Sequence, residues 1–323
     1  MPSTRYPFTS FPNGWFVVAQ SSEVTTGVVK ALKVFGVELV AYRSQAGQVL
    51  VTEAYCPHQG AHLAHGGVVE GDNIRCPFHG WCFDGRSGAC VDIPFATRMP
   101  PRAKLRTWPV RETDGVILVH YHQEGAAPSW EVPSVDDDTW SEPMHINYPL
   151  RTCCQEVLEN SVDTSHLPSV HQSKRPGRYL PGTMEGPVAQ HQLEVQWDGA
   201  YIGAPGTEMD VQLSVRCFGL GMIYVDTHVA ALGMTARQRI YVTPVDDENI
   251  VLRAVLQVKK LPDPAATQMV AGMWRTGFET DFVKDFPIWE NKIYRDPPVL
   301  SDADGPVLPF RRWARQFYSA PAT

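Results

Sequence analysis

Two short motifs decide the fold of this chain, Cys56-Pro-His58 and, after residues 59–75, Cys76-Pro-Phe-His79. Each motif pairs one thiol with one imidazole, and both groups are common ligands of iron and zinc. A glycine follows each pair, Gly60 after the first and Gly80 after the second. Because such residues favour turns between strands, we expect the two motifs to project from neighbouring hairpins and meet at one end of a β domain.

Two kinds of metal centre use two cysteines and two histidines. Structural zinc sites usually take their ligands in like pairs, C-x-x-C or H-x-x-x-H, whereas the pairs here are mixed. A Rieske 2Fe-2S cluster has two thiolates on one iron and two imidazoles on the other. We therefore interpret Cys56, His58, Cys76 and His79 as ligands of a Rieske cluster, which carries single electrons, and keep zinc as the alternative.

The remaining cysteines give no sign of disulfides. Respiratory Rieske proteins carry one further cysteine in each cluster loop, and the corresponding positions here are Ala61 and Phe78. We therefore expect no loop disulfide and a lower-potential cluster that takes electrons from a soluble carrier. The adjacent Cys153 and Cys154 are expected to be reduced, since a bond between neighbours is strained.

Composition excludes several classes of function. With 323 residues, 43% of them hydrophobic, the chain can form two domains of ordinary size. The net charge of −7 and the lack of a basic block argue against nucleic acid as a partner. The start, MPSTRYPFTSFPNGWFVV, shows no leader pattern, and no run approaches about 18 apolar residues. We expect no integral membrane segment and a cytoplasmic location.

The pattern of strands and turns predicts an α+β protein of two domains. Between residues 14 and 122, short β-rich runs alternate with turn signals such as Asp114-Gly115, which predicts a small antiparallel β domain. The Pro-, Ser- and Asp-rich stretch 123–144 suits a connection, so we expect domains at 1–125 and 126–323. The second domain is predicted to run from a helix through antiparallel strands to a helical stretch from about Pro264 to Tyr294, in a helix-grip-like arrangement.

A second metal site is predicted at the start of the second domain. In this predicted helix, Asp163 and His166 are three residues apart and share one face. Pro168 is expected to interrupt the helix and allow His171 to reach the same point. Two histidines with one carboxylate leave open coordination positions, the arrangement that suits non-haem Fe(II) and O₂.

The third ligand of this iron must come from another part of the chain. The C-terminal helical stretch offers Asp281 and Asp285, one turn apart. We prefer Asp285, which precedes the apolar segment Phe286-Pro287-Ile288-Trp289, and keep Asp281 as the alternative. His166 and His171 also admit a purely structural interpretation as helix-end histidines bonded to backbone.

With these motifs in place, the chain resembles the catalytic α-subunits of the Rieske non-haem iron oxygenases. The resemblance covers nearly the whole length, through the cluster motifs, the N-x-x-D-x-x-H-x-x-x-x-H motif from Asn160 to His171, and the D-x-x-I-W motif that begins at Asp285. The tail DGPVLPFRRWARQFY, residues 304–318, is most similar to the branch of 3-ketosteroid 9α-hydroxylases and cholesterol 7-desaturases.

The resemblance implies a mechanism and partners. Electrons would come from a ferredoxin or a flavin-dependent reductase, pass through the cluster to the mononuclear iron, and drive O₂-dependent hydroxylation or desaturation of a C–H bond. The family forms ring-shaped trimers, in which the cluster of one subunit abuts the iron of the next. This places Asp163 between His79 of one subunit and His166 of its neighbour; the alternative for Asp163 is a solvent-facing position.

The expected substrate is a bulky, hydrophobic alicyclic molecule, steroid-like first. Relatives with the same motifs suggest an aromatic acid or an alkaloid-like natural product as the alternative, oxidised by a monooxygenase or demethylase. A different class remains open, an electron carrier that has lost the mononuclear iron. By position alone, the candidate pocket residues are Val157, Leu167, Val170, Met222, Tyr224, Met234 and Trp274.

Overall fold

The computed structural model describes residues 5–135, 137–198 and 206–319, with only the backbone of Asp198. The chain divides into two compact units. One is Gly14–Ser134, and the other joins the segment up to Asn13 with Val135–Thr323. The division thus falls inside the Pro-, Ser- and Asp-rich stretch 123–144, and the residues before Gly14 belong with the second unit.

The unit Gly14–Ser134 consists of short antiparallel strands in three small sheets, with the strand orders β1-β10-β9, β2-β3-β4 and β5-β6-β7-β8. The strands are β1 (Gly14–Gln20), β2 (Val29–Val34), β3 (Val37–Arg43), β4 (Val49–Glu53), β5 (Val68–Glu70), β6 (Asn73–Arg75), β7 (Cys82–Asp84), β8 (Cys90–Asp92), β9 (Val110–Thr113) and β10 (Val116–Tyr121).

Tight turns join several of these strands. Asp114 and Gly115 have φ of 50° and 76° and connect β9 to β10, which confirms the hairpin predicted at this dipeptide. Two consecutive residues with positive φ match the twist of the flanking strands. Phe35 and Gly36, with φ of 53° and 69°, join β2 to β3 in the same way.

The second unit is built on one large antiparallel sheet, in the order β11-β18-β17-β16-β15-β14-β12, with β13 paired to β14. Along the chain, short helices follow the first strand of this sheet and further helices follow its last strand, which confirms the predicted α+β plan. The elements are β11 (Met144–Leu150), α1 (Cys154–Glu159), α2 (His166–Val170), β12 (Arg178–Leu180), β13 (Met184–Glu185), β14 (Val188–Asp198), β15 (Glu208–Phe218), β16 (Met222–Val229), β17 (Met234–Pro244), β18 (Ile250–Val258), α3 (Pro264–Asp281), α4 (Phe286–Asn291) and α5 (Val307–Ala314).

The first helical prediction was wrong in one respect. Two short helices, α1 and α2, replace the single helix predicted over residues 152–167, and Asp163 lies in the turn between them. Asp163 Oδ1 accepts hydrogen bonds from the backbone N–H and the hydroxyl of Ser165, both at 3.0 Å, and such local bonds favour a turn over a helix interior. Pro168 does not interrupt a helix; it lies in the first turn of α2, where its missing N–H is not needed.

The C-terminal helical stretch is confirmed but is not continuous. Helix α3 ends at Asp281, and Phe282–Asp285 forms a 3₁₀ turn before α4. Pro287 at the start of α4 lacks the N–H that would bond back into the preceding turn. The tighter turn therefore lies directly before the proline, with Asp285 as its last residue. Within the described residues, no helix has the length and apolar character needed to cross a bilayer.

Candidate metal centres and active site

Two loops with the same turn carry the cysteine–histidine motifs. In the first, the N–H of Gly60 donates to the carbonyl of Cys56 at 2.9 Å, and in the second the N–H of Gly80 donates to that of Cys76 at 3.1 Å. Both glycines have positive φ, 75° and 72°, which disfavours any other residue. A side chain at position 80 would also be crowded, because its Cβ would lie 2.9 Å from the ring of Pro94.

The four motif side chains lie together at the ends of these loops. The rings of His58 and His79 are 4.6 Å apart at 71°, and the thiol of Cys76 lies close enough to that of Cys56 to add to the rise in its pKa. Both cysteines are buried, whereas His58 is half-buried and His79 exposed. Burial raises the pKa of the Cys56 thiol to about 11. The arrangement therefore has an inner pair of thiols and an outer pair of imidazoles.

This arrangement fits a Rieske cluster, which needs two thiolates on one iron and two imidazoles on the other. Nδ1 of His58 is buried and has no hydrogen-bond partner among the described residues. Trp81 stacks on the His58 ring at 4.4 Å and 10° and so packs over the site. Arg75 holds the second loop by donating to Glu70, Asp92 and the carbonyl of Gly80.

The second unit brings His166, His171 and Asp285 together. One ligand atom from each lies within 4.8 Å of the other two. Nε2 of His171 is 3.2 Å from Oδ2 of Asp285. Asn160, the C-terminal cap of α1, places its amide nitrogen 3.2 Å from Nε2 of His166 and 3.3 Å from Asp285 Oδ2. The predicted set of two histidines and one carboxylate thus converges around a single point.

A second carboxylate faces the far side of each histidine ring. Oδ2 of Asp281 lies 3.0 Å from Nδ1 of His171, and Oδ2 of Asp163 lies 3.7 Å from Nδ1 of His166. Burial lowers the pKa of His171, but the carboxylates of Asp281 and Asp285 outweigh it and raise the pKa to about 9. Asp281 is therefore placed to orient His171 from behind, while Asp285 lies at the point of convergence.

Asp163 is a charged group that is only partly shielded from solvent. Burial raises its pKa, but the nearby imidazole of His166 and the hydrogen bonds from Ser165 outweigh burial and lower the pKa to about 2. Its side chain is 32% exposed, so neither a fully buried nor a fully solvated position describes it. Asp163 therefore stays ionised and can accept hydrogen bonds over the whole physiological pH range.

The C-terminal tail braces this turn, a role that the sequence motif alone did not reveal. Asp304 accepts a hydrogen bond from the hydroxyl of Ser165 at 2.8 Å. The next residue, Gly305, lies so close to the turn that a Cβ would be 1.7 Å from the carbonyl oxygen of Val162. The Asp-Gly pair of the tail is thus explained by contact with the segment that carries Asp163.

A cavity of about 150 Å³ opens beside the convergent histidines. Apart from the site residues its walls are mainly apolar, including Phe278, Phe282 and Ile240. Val157 and Leu167 line it as predicted, whereas Val170, Met222 and Tyr224 are absent from its walls within the described residues. Met234 and Trp274 line a neighbouring cavity instead. The sequence did not single out Gln238, which adds a polar group to the wall.

Comparison with known families gives the chain its class. Residues 14–109 match the Rieske 2Fe-2S domain family, and residues 119–318 match the 3-ketosteroid 9α-hydroxylase C-terminal domain family. The chain belongs to the Rieske oxygenases of the 3-ketosteroid 9α-hydroxylase type. This Rieske oxygenase is therefore an enzyme, and the match favours a 2Fe-2S cluster over zinc in the first unit.

Relatives of this Rieske oxygenase include steroid-acting enzymes. The cholesterol 7-desaturase of Hemicentrotus pulcherrimus is 31% identical, over 96% of this chain and 70% of the relative. The oxygenase component of a 3-ketosteroid-9-alpha-monooxygenase from Rhodococcus rhodochrous is 32% identical, over 96% of this chain and 82% of the relative.

Solved structures share the fold at lower identity. Dicamba monooxygenase bound to dicamba superposes with a TM-score of 0.75 at 18% identity, covering 98% of both chains. Pseudomonas putida CBB5 NdmA with caffeine gives a TM-score of 0.71 at 19% identity, covering 93% of this chain and 89% of the other. At these levels of sequence identity, the structural similarity shows a shared fold and nothing further.

Proposed function

We propose that the chain is the terminal component of a Rieske oxygenase system that uses O₂ to hydroxylate or desaturate a C–H bond of a bulky alicyclic, steroid-like substrate. The observation that carries this proposal is the convergence of His166, His171 and Asp285 beside a cavity with mainly apolar walls. The named activities of the relatives support the substrate class.

The cluster site would supply the electrons. Cys56 and Cys76 would hold one iron of the 2Fe-2S cluster through thiolates, and His58 and His79 would hold the other. The burial of the thiols and the exposure of His79 support an arrangement in which the histidine side faces an electron-transfer partner. One relative is named an oxygenase component, which supports a separate ferredoxin or flavin-dependent reductase as the electron donor.

At the second site, His166, His171 and Asp285 would hold a mononuclear Fe(II), whose role when bound is to activate O₂. The carboxylate of Asp281, 3.0 Å from Nδ1 of His171, would hold the orientation of this ring, so that Nε2 remains directed at the convergence point. Asn160 spans His166 and Asp285 and limits their movement. The apolar walls exclude water from the reacting C–H bond and leave little to bind a charged substrate such as an aromatic acid.

Electron delivery would occur between subunits of a homotrimer, with Asp163 as the link. A carboxylate that faces His166 on one side and is 32% exposed can accept a second N–H from His79 of a neighbouring subunit.

We further place the assembly in the cytoplasm, because a donor of single electrons and reduced cysteines suit a reducing compartment.

Two measurements test the proposal. Oxygen uptake and product mass, recorded for a panel of steroids with a reductase and NADH, should show oxidation coupled to O₂ consumption. Iron analysis should give three irons per chain, two in the cluster and one in the second unit. An electron carrier would hold only two irons, and its oxygen uptake would not respond to any steroid.

A further inference from the structure

A second cavity lies next to the one beside the histidines, and nothing in the proposed chemistry accounts for it. Its volume is about 470 Å³, compared with about 150 Å³ for the first. It is bounded by residues 232–235, by the chain that follows β18, and by helix α3. Its apolar walls include Leu232, Met234, Leu261, Met269, Met273 and Trp274.

The two cavities follow one another along the same helix and the same strand. On α3, Trp274 lines the second cavity and Phe278 the first. These residues are one turn apart, or about 6 Å along the helix axis. On β17, Met234 lines the second cavity and Gln238 the first. Between them on the same face lies Ala236, which contributes only a methyl group.

One apolar cluster connects the walls on the side of the sheet. Met209, Val211 and Val229 form its buried centre. Met234 from the second cavity packs against this centre, and so does Trp197 from the wall of the first. One wall residue of each cavity therefore packs against the same apolar cluster.

The volumes show why the first cavity needs an extension. Pockets for small organic ligands usually measure about 300–1,000 Å³, so the first cavity alone is too small and the second falls within the range. We infer that the second cavity is the outer part of the substrate site and its entrance. The reacting end of the substrate occupies the first cavity, and an aliphatic tail lies among the methionines of α3.

This inference rests on the proposed function and names the part of the substrate that the outer cavity binds. Methionine side chains are flexible and polarisable, and they suit a tail of variable shape. Met269 and Met273 are 63% and 40% exposed, so the tail enters from solvent at their end of α3. Trp274 is buried and lines the second cavity one turn from Phe278, so its side chain would have to move aside to join the two spaces.

Two steroids with the same ring system test the inference. Androst-4-ene-3,17-dione lacks a side chain, and cholest-4-en-3-one carries a long aliphatic one. Equilibrium dialysis of the oxidised holoenzyme without reductant gives the Kd of each. Met273→Trp fills the outer rim of the second cavity. Gln268→Trp is the matched control, since it adds the same side chain to an exposed position of α3 outside the cavity.

We expect the parent enzyme to bind cholest-4-en-3-one at least tenfold more tightly than androst-4-ene-3,17-dione. Met273→Trp should abolish this preference while changing the Kd of androst-4-ene-3,17-dione by less than twofold, and Gln268→Trp should preserve it. Equal weakening of both steroids, or no effect, would overturn the outer subsite while leaving the proposed oxygenase function intact. If the parent binds neither steroid, the substrate class and the subsite are both wrong.

Discussion

Nδ1 of His171 lies 3.0 Å from Oδ2 of Asp281, on the side of the ring opposite the nitrogen that faces Asp285. This contact distinguishes the roles of Asp281 and Asp285, which lie one turn apart and cannot be told apart by residue type. Asp285 meets the histidines at the point of convergence, whereas Asp281 contacts His171 and Lys284. A carboxylate behind a metal-binding histidine fixes its tautomer and ring orientation.

The two aspartates should respond differently to substitution. Asp285→Ala should remove the proposed mononuclear iron, because it deletes one of the three proposed ligands. Asp281→Asn should keep the site but weaken iron binding by about 10–100-fold, the usual effect of losing an orienting partner. Iron titration of each purified variant, with the cluster absorbance as an internal reference, measures the difference. The reverse ranking would make Asp281 the ligand.

His166→Ala should affect the proposed mononuclear iron site and leave the cluster site unchanged. The variant should retain the visible spectrum of the cluster, since His166 lies in the other compact unit. Its iron content should fall from three to two per chain, and product formation should stop. His191→Ala is a suitable comparison, because His191 is buried in the same unit and, among the described residues, its side chain bonds only to the carbonyl of Ser161 through Nε2. A His166 variant with three irons would contradict the assignment.

Cys56→Ser tests the cluster. A hydroxyl is a far poorer iron ligand than a thiolate, so the visible absorbance and the electron resonance signal of the reduced state, with average g below 2, should both disappear. Cys82→Ser provides the control, because Cys82 is also buried but lies in β7 outside the ligand motifs. Survival of both signals in the Cys56 variant would refute the Rieske interpretation.

Apart from the choice of Asp285, the features that the sequence predicted depend on residues close together in the chain. The Asp114-Gly115 turn and the mixed cluster motifs are local patterns with few alternative structures. The role of Gly305 was not predictable, since it depends on the distant carbonyl of Val162. The same holds for Arg5, whose guanidinium donates to the carbonyl of Trp289 at 2.8 Å and joins opposite ends of the chain.

His191 should make stability depend on pH. Burial lowers its pKa to about 4, against about 6.5 in an unfolded chain. The unfolded state therefore binds more protons at His191 between these values. The contribution of His191 to the free energy of unfolding is thus constant above about pH 6.5 and falls as the pH drops towards 4. At pH 5 the loss is about 2 kcal/mol, from the 1.5-unit interval and 1.36 kcal/mol per unit.

Thermal unfolding at pH 7 and pH 5 measures this effect. His191→Gln keeps a side-chain donor for the carbonyl of Ser161 but cannot titrate, so its Tm should fall less than that of the parent between the two values. His228→Gln, at an exposed histidine of β16, should behave like the parent. Equal pH dependence in all three proteins would exclude His191 as the source.

Asp163→Asn is the sharpest test of the proposed electron route, because it separates electron transfer from metal binding. The charge that is lost is fully developed at neutral pH, since the pKa of Asp163 is about 2. Asparagine keeps the size but replaces one acceptor oxygen with a donor, so that an imidazole N–H would face another N–H. An unpaired buried donor costs about 1–3 kcal/mol, enough to misalign the junction and too little to unfold the unit.

The variant should therefore have full iron content, a normal cluster spectrum and normal reduction by its partner. Reoxidation of the reduced cluster in stopped-flow, with substrate and O₂ present, should slow by orders of magnitude. Asp304→Asn is the matched control, because it removes a neighbouring carboxylate that bonds to Ser165 and not to His166. If Asp163→Asn reoxidises at the rate of the parent, the carboxylate has no part in the transfer, and the electron must reach the second unit by a path that does not use Asp163.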